Sequence, residues 1–237
     1  MNIDRILDVL NRHKVAYILI GGVNYLLRHK PELTFDIDIW IEDNPANRQR
    51  CQRALEELDA EWGPTDDQWR PVRQHPEDWL GTQMVYCLTS PYGAIDIFRC
   101  VEGLGAWQDC RTSADEGCTA GGIAYVGLSD EDMLRCQYAW RKDCGNSNAS
   151  KRSSAKSERP SRMTNHSLKE AEEARRERHW DPAVRWRVLQ ETIAWAEAQA
   201  TVRRNSKAAR LAEQRKKLAR LASRDTVPTE ARCADSY

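Results

Sequence analysis

The chain has 237 residues, with 36 Lys+Arg, 36 Asp+Glu and a formal net charge of zero, which is enough length for a buried core in one or two domains. That neutrality conceals a split: residues 1–142 carry 15 basic against 23 acidic side chains, and residues 143–237 carry 21 against 13, so a basic tail either docks on an acidic body or meets a polyanion such as RNA. No apolar run reaches the roughly 18 residues of a membrane span and "MNIDRILDVL" lacks the basic-then-apolar order of a signal peptide, so the expectation is a cytoplasmic protein with no membrane contact.

In chain order, Ile3, Ile6, Leu7 and Leu10 follow helical spacing and predict an amphipathic helix over residues 3–13. Ala16 to Ile20 reads as a short buried strand. Gly21-Gly22 then turns into a second helix at about residues 23–29, stopped by Pro31. Phe35 to Ile41 is a second strand, and Pro45 opens a helix with Cys51, Ala54, Leu55 and Leu58 on its inner face. Residues 61–81 lack a period and read as an irregular loop. Thr82 to Thr89 and Ala94 to Cys100 form a hairpin around "SPYG". Beyond a Gly-rich stretch, Ile123 to Val126 is a further strand, and "LSDEDMLRCQYAWRK" is a helix capped by Ser129. The order β-α-β-α-β-β predicts an α/β body with a mixed sheet.

Residues 143–165 have the composition of a flexible linker. The extension over residues 166–237 reads as two or three helices, with Trp186, Leu189, Ile193, Ala196 and Ala200 on one face, then Leu211, Leu218 and Ala222, and a frayed end after about Ser223. The eight cysteines contain no C-x-x-C pair, which excludes a zinc ribbon or thioredoxin-type motif and leaves free thiols. The five histidines show no ligand spacing and read as surface residues. Most of the nine tryptophans read as core, with Trp40 the exception as a possible stacking platform.

The stretch "TFDIDIW" carries the chemistry. On a strand Asp36 and Asp38 point one way while Ile37, Ile39 and Ile41 point the other. "GAIDIFRC" places Asp96 in the same apolar-Asp-apolar setting, so three carboxylates converge if the two strands are neighbours. Such a trio repels itself unless a hard cation such as magnesium sits among it. The glycine pair leads into a helix whose N-terminal N–H groups favour phosphate.

Apolar strand, Gly-Gly, helix, Asp-x-Asp on a strand and a later lone Asp resemble the DNA polymerase beta-like nucleotidyltransferase superfamily, in particular its bacterial minimal and abortive-infection or toxin–antitoxin types. The match runs from Tyr17 to Ile41 and more loosely to about Lys142. The resemblance implies a nucleotidyltransferase-like mixed β-sheet with flanking helices over residues 1–142, followed by a helical C-terminal extension. It also implies two Mg²⁺ ions on Asp36, Asp38 and Asp96, with Asp96 helping to activate the attacking hydroxyl. An NTP substrate would be held by Gly21 and Gly22, with Thr34 in the place where relatives carry Arg or Thr. Relatives often carry Ser where this chain has Gly22.

The expected activity is Mg-dependent transfer of NMP from an NTP to a hydroxyl of a protein, an RNA or a small molecule. The rival expectation is a catalytically silent antitoxin or regulatory partner of the same fold, with the helical tail as its docking surface. In a third reading the tail is an RNA-binding arm on an active head, its basic run "RRNSKAARLAEQRKKLAR" being either a nucleic-acid contact surface or a solvated helix face, so the partners expected of the basic C-terminal helices are a protein or RNA.

Overall fold

The computed structural model describes residues 1–29, 34–139 and 165–199. Helix α1 (Ile3–Arg12) buries Ile3, Ile6, Leu7 and Leu10, as the spacing requires, and is capped by Asn2, whose Oδ1 accepts from Arg5 N at 3.0 Å. Strand β1 (Tyr17–Ile20) is buried throughout and runs directly into α2 (Gly21–Arg28), which starts on the first glycine rather than two residues later. Strand β2 (Asp36–Ile41) leads to α3 (Pro45–Glu57), where Asn44 caps and Pro45 fits the first turn because that position needs no N–H donor.

Residues 61–81 are more ordered than the missing period implies. They hold a two-stranded ribbon, β3 (Glu61–Trp62) with β4 (Arg70–Pro71), and 3₁₀ turns at Asp66–Gln68, Val72–Gln74 and Trp79–Gly81. Strands two residues long leave no periodicity to read. Their anchors are instead the buried Trp62, Val72, Trp79 and Leu80.

Strands β5 (Val85–Leu88) and β6 (Ala94–Phe98) form the expected hairpin, although Thr82 belongs to the preceding turn, its Oγ1 donating to Trp79 O at 2.8 Å. Helix α4 (Trp107–Ser113) and strand β7 (Asp115–Cys118) lie where only a Gly-rich stretch was legible, and β7 is a mostly exposed edge with no alternating pattern. After β8 (Ala124–Gly127) comes α5 over residues 130–139, with Asp132 N donating to Ser129 Oγ at 3.3 Å. The chain is therefore α/β, with a six-stranded mixed sheet in the order β5-β6-β2-β1-β8-β7, parallel at β2/β6 and at β1/β8.

One face of this sheet packs Leu19, Ile37, Ile39 and Ile41 under α1 and α3; the other packs Ile18, Ile20, Trp40, Val85, Cys87 and Phe98 under α4 and α5. Trp40 is 2% exposed and its Nε1 donates to Arg99 O at 3.3 Å, so it is a core residue and offers no face for a base. His75, expected at the surface, is buried, whereas Cys51, Cys87, Cys110, Cys118 and Cys136 are free thiols as expected.

Helices α6 (Asn165–His179) and α7 (Pro182–Ala198) follow. The inner face of α7 is Val188 and Thr192, flanked by Val184 and Trp195, whereas Trp186 and Ile193 are exposed. The apolar spacing had selected the adjacent stripe. Thr192 supplies the reason: its Oγ1 turns back to donate to Val188 O, so a polar residue lies comfortably inside. Residues 143–164 of the expected linker, Ala200, Leu211, Leu218, Ala222 and the basic run lie outside the described residues. Among the described residues no helix is long and apolar enough to cross a membrane.

Candidate functional site

Parallel pairing of β2 with β6 places Asp38 opposite Asp96 and Asp36 opposite Ala94. Alternation along both strands then directs all three carboxylates to one side, where an oxygen of each of Asp36, Asp38 and Asp96 lies within 4.8 Å of the others. Asp96 is fully buried and Asp38 nearly so, while Asp36 faces a groove of about 470 Å³ that Phe35, Glu173 and Arg176 also line. At about 4 Å a pair of like charges costs on the order of 4 kcal/mol at an effective dielectric near 20. The trio therefore needs positive charge beside it.

The glycine pair meets this cluster directly. Gly21 has φ +66, and a Cβ there would overlap Asp38 Oδ2. A Cβ on Gly22 would lie 2.8 Å from Thr34 Oγ1. Helix α2 starts here from Ile20, which has no side chain to cap it, so its first N–H groups emerge beside the carboxylates. Thr34 Oγ1 lies 3.0 Å from the Asp36 carbonyl oxygen and 3.3 Å from Asp36 Oδ1, so its hydroxyl orients the first acid. All six residues singled out in the sequence thus lie at one corner of the sheet.

Two further residues at this corner were not anticipated. Lys169 Nζ on α6 donates to Asp38 Oδ1 at 2.6 Å, lies 3.1 Å from Asp96 Oδ2 and pairs with Glu173 at 3.4 Å. Two turns along, Arg176 Nη1 donates to Asp96 Oδ1 and its Nη2 lies 3.5 Å from Asp36 Oδ2. Lys169 also sits over the Phe98 ring, 5.2 Å from its centroid. Burial and neighbouring acids push the Asp38 and Asp96 carboxyls up against the pull of Lys169, and for Asp96 also of Arg176. Burial works against the Lys169 ammonium too, but the three carboxylates outweigh it and raise that group, as Asp96 does for Arg176.

No protein-family model matches the chain, and no curated protein does. Among solved structures, a putative nucleotidyltransferase from Thermotoga maritima is similar over 63% of this chain and 84% of its own, at 15% identity and a TM-score of 0.33.

The donor set fits a hard divalent cation: three carboxylates, oxygen ligands only, with one oxygen of each within 4.8 Å of the others. Asp96 Oδ2 strengthens that fit, because it is buried and accepts no hydrogen bond although Lys169 Nζ is near. The sequence signal that could have revealed α6 is its charge period. Lys169, Glu172 and Arg176 recur at three-four spacing and all are buried, a stripe that apolar periodicity alone does not register.

Proposed function

We propose that the protein is a metal-dependent nucleotidyltransferase that moves NMP from an NTP to an acceptor hydroxyl, with residues 1–142 as the catalytic head and the helices from residue 166 as an extension. The observation that carries this reading is the convergence of Asp36, Asp38 and Asp96 beside the glycine pair that starts α2. The chemistry supplied by a bound dication on these carboxylates is polarisation of the α-phosphate and stabilisation of the leaving oxygen. Gly21 and Gly22 bring backbone N–H groups to the triphosphate, and the missing side chain at Gly21 lets the anion and Asp38 share the corner. Thr34 fixes the Asp36 carboxylate through its hydroxyl. Asp96 takes the proton of the acceptor hydroxyl as its oxygen bonds to the α-phosphorus and the α–β anhydride bond breaks. Pyrophosphate leaves.

Incubation with each labelled NTP, Mg²⁺ and candidate RNA or protein acceptors tests the reading. We expect label transfer or pyrophosphate release that Asp96→Asn lowers by at least about 100-fold. Identical labelling by the wild type and by Asp36→Ala/Asp38→Ala would exclude the site.

A second reading draws on Lys169 and Arg176, which already neutralise the acids. In it the fold is a catalytically silent antitoxin or regulatory partner, and neither nucleotide nor Mg²⁺ binds to any form of the protein.

A further inference from the structure

Helix α6 is unusual in what it buries. Its inner positions, Lys169, Glu172 and Arg176, are each below one-tenth exposed, and each is charged. Burying unmatched charge costs several kcal/mol per ion, so such a face docks only where its counter-charges already wait. The three aspartates are the counter-charges of Lys169 and Arg176, and Glu172 is matched by Arg175 and the Trp62 indole N–H. Between them, Lys169 and Arg176 reach all three carboxylates.

These contacts use the oxygens a metal would use. A magnesium ion binds carboxylate oxygen at about 2.0–2.1 Å, and Lys169 Nζ stands 2.6 Å from Asp38 Oδ1 and 3.1 Å from Asp96 Oδ2. Ammonium and dication cannot both occupy that space, and their like charges forbid close company. We propose that α6 is a built-in competitor for divalent metal, its Lys169 and Arg176 standing in for the ions until the helix withdraws. The proposal rests on reading the triad as a metal site.

The rest of the helix is built to hold this position without touching the triad. Trp62 Nε1 donates to Glu172 Oε2 at 2.8 Å, and Arg175 Nη1 donates to Gly63 O at 3.1 Å. Arg178 and His179 both reach Asp66, and the His179 ring stacks on Trp69 at 4.6 Å and 3°. The Arg178–Asp66 pair is more than half exposed on the Arg side, so it adds little energy. Most of the hold therefore lies at the buried charges, which are the groups a dication would compete for. Metal affinity is then multiplied by the fraction of time the helix is undocked.

Mn²⁺ titrated calorimetrically into the full chain, with amide hydrogen exchange followed across residues 165–179, tests this. Lys169→Met/Arg176→Met should bind Mn²⁺ at least about tenfold tighter than wild type if α6 is docked nine-tenths of the time. Glu172→Ala, which loosens the helix without altering a carboxylate of the triad, should fall between them. In wild type, Mn²⁺ should raise exchange over residues 165–179. Equal affinities in all three forms, or binding with no change in that exchange, overturn the competitor and leave the metal site standing. Absence of Mn²⁺ binding in every form removes the metal site and the competitor together. Should the double variant fail to fold, Glu172→Ala and the exchange readout decide alone.

Discussion

Gly21 does two things that no other residue type could do in its place. Its φ of +66 is left-handed, and its missing Cβ leaves room for the Asp38 carboxylate. Gly122 shares only the first demand, since its φ is +79 but nothing lies within 4 Å of a Cβ built there. Both alanine variants should lose about 1 kcal/mol to backbone strain. Gly21→Ala should lose measurably more in urea unfolding, and should also weaken Mn²⁺ binding, because the methyl group displaces Asp38. Equal losses at the two positions would mean that the corner relaxes freely. At this scale much was legible, because a strand's period of two puts Asp36 and Asp38 on one side whatever the rest of the chain does. Lys169 was not, since its partners are 131 and 73 positions away and a lysine in a helix of mixed charge looks like any solvated one.

Between elements, the docking of α6 depends on the ribbon that the sequence disguised as an irregular loop. Trp62, at the end of β3, gives its indole N–H to Glu172, which is 5% exposed. Trp62→Phe keeps most of the apolar volume packed on Trp79 at 5.0 Å and Tyr86 at 5.1 Å but removes that donor. A buried carboxylate deprived of a hydrogen bond costs about 1–3 kcal/mol. The expected result is faster hydrogen exchange in α6 with little change in α3, which Trp62 does not anchor through this bond. Uniform loosening of both helices would show that the indole supports the core instead. The helices α1 and α3 were readable because their inner faces are apolar and regularly spaced. That a basic tail docks on the acidic body was one of the two readings of the charge split, but the face of α6 that docks was not readable, because it is charged and recognisable only beside the acids it meets.

For the whole molecule, stability should fall as pH drops through the histidine range. His75 is buried against Trp62 and Trp79, and its Nε2 donates to Trp62 O at 2.9 Å, the carbonyl being able only to accept. Burial lowers its pKa, assisted by the charge of Arg70 and opposed by that hydrogen bond. Folded His75 thus stays neutral where the unfolded chain takes up a proton, so below about pH 6.5 the unfolded state binds more protons and gains on the folded one. The raised carboxyl of Asp38 acts in the opposite direction, losing stability as pH rises, so a variant must isolate the histidine. Wild type should lose more unfolding free energy between pH 7.5 and 5.5 than His75→Gln does, and parallel losses would assign the acid response elsewhere.

By itself the sequence determined the α/β class, the two acids on β2, the setting of Asp96 and the glycine corner, since each follows from local alternation or local backbone freedom. Only the tertiary structure decided that β6 lies parallel to β2 with Asp96 opposite Asp38, and that α6 brings two cations onto the three acids. The physical reason is that strand order and charge pairing depend on which distant segments share a surface, and a three-four charge period on a helix marks a face without naming the distant acids it will meet.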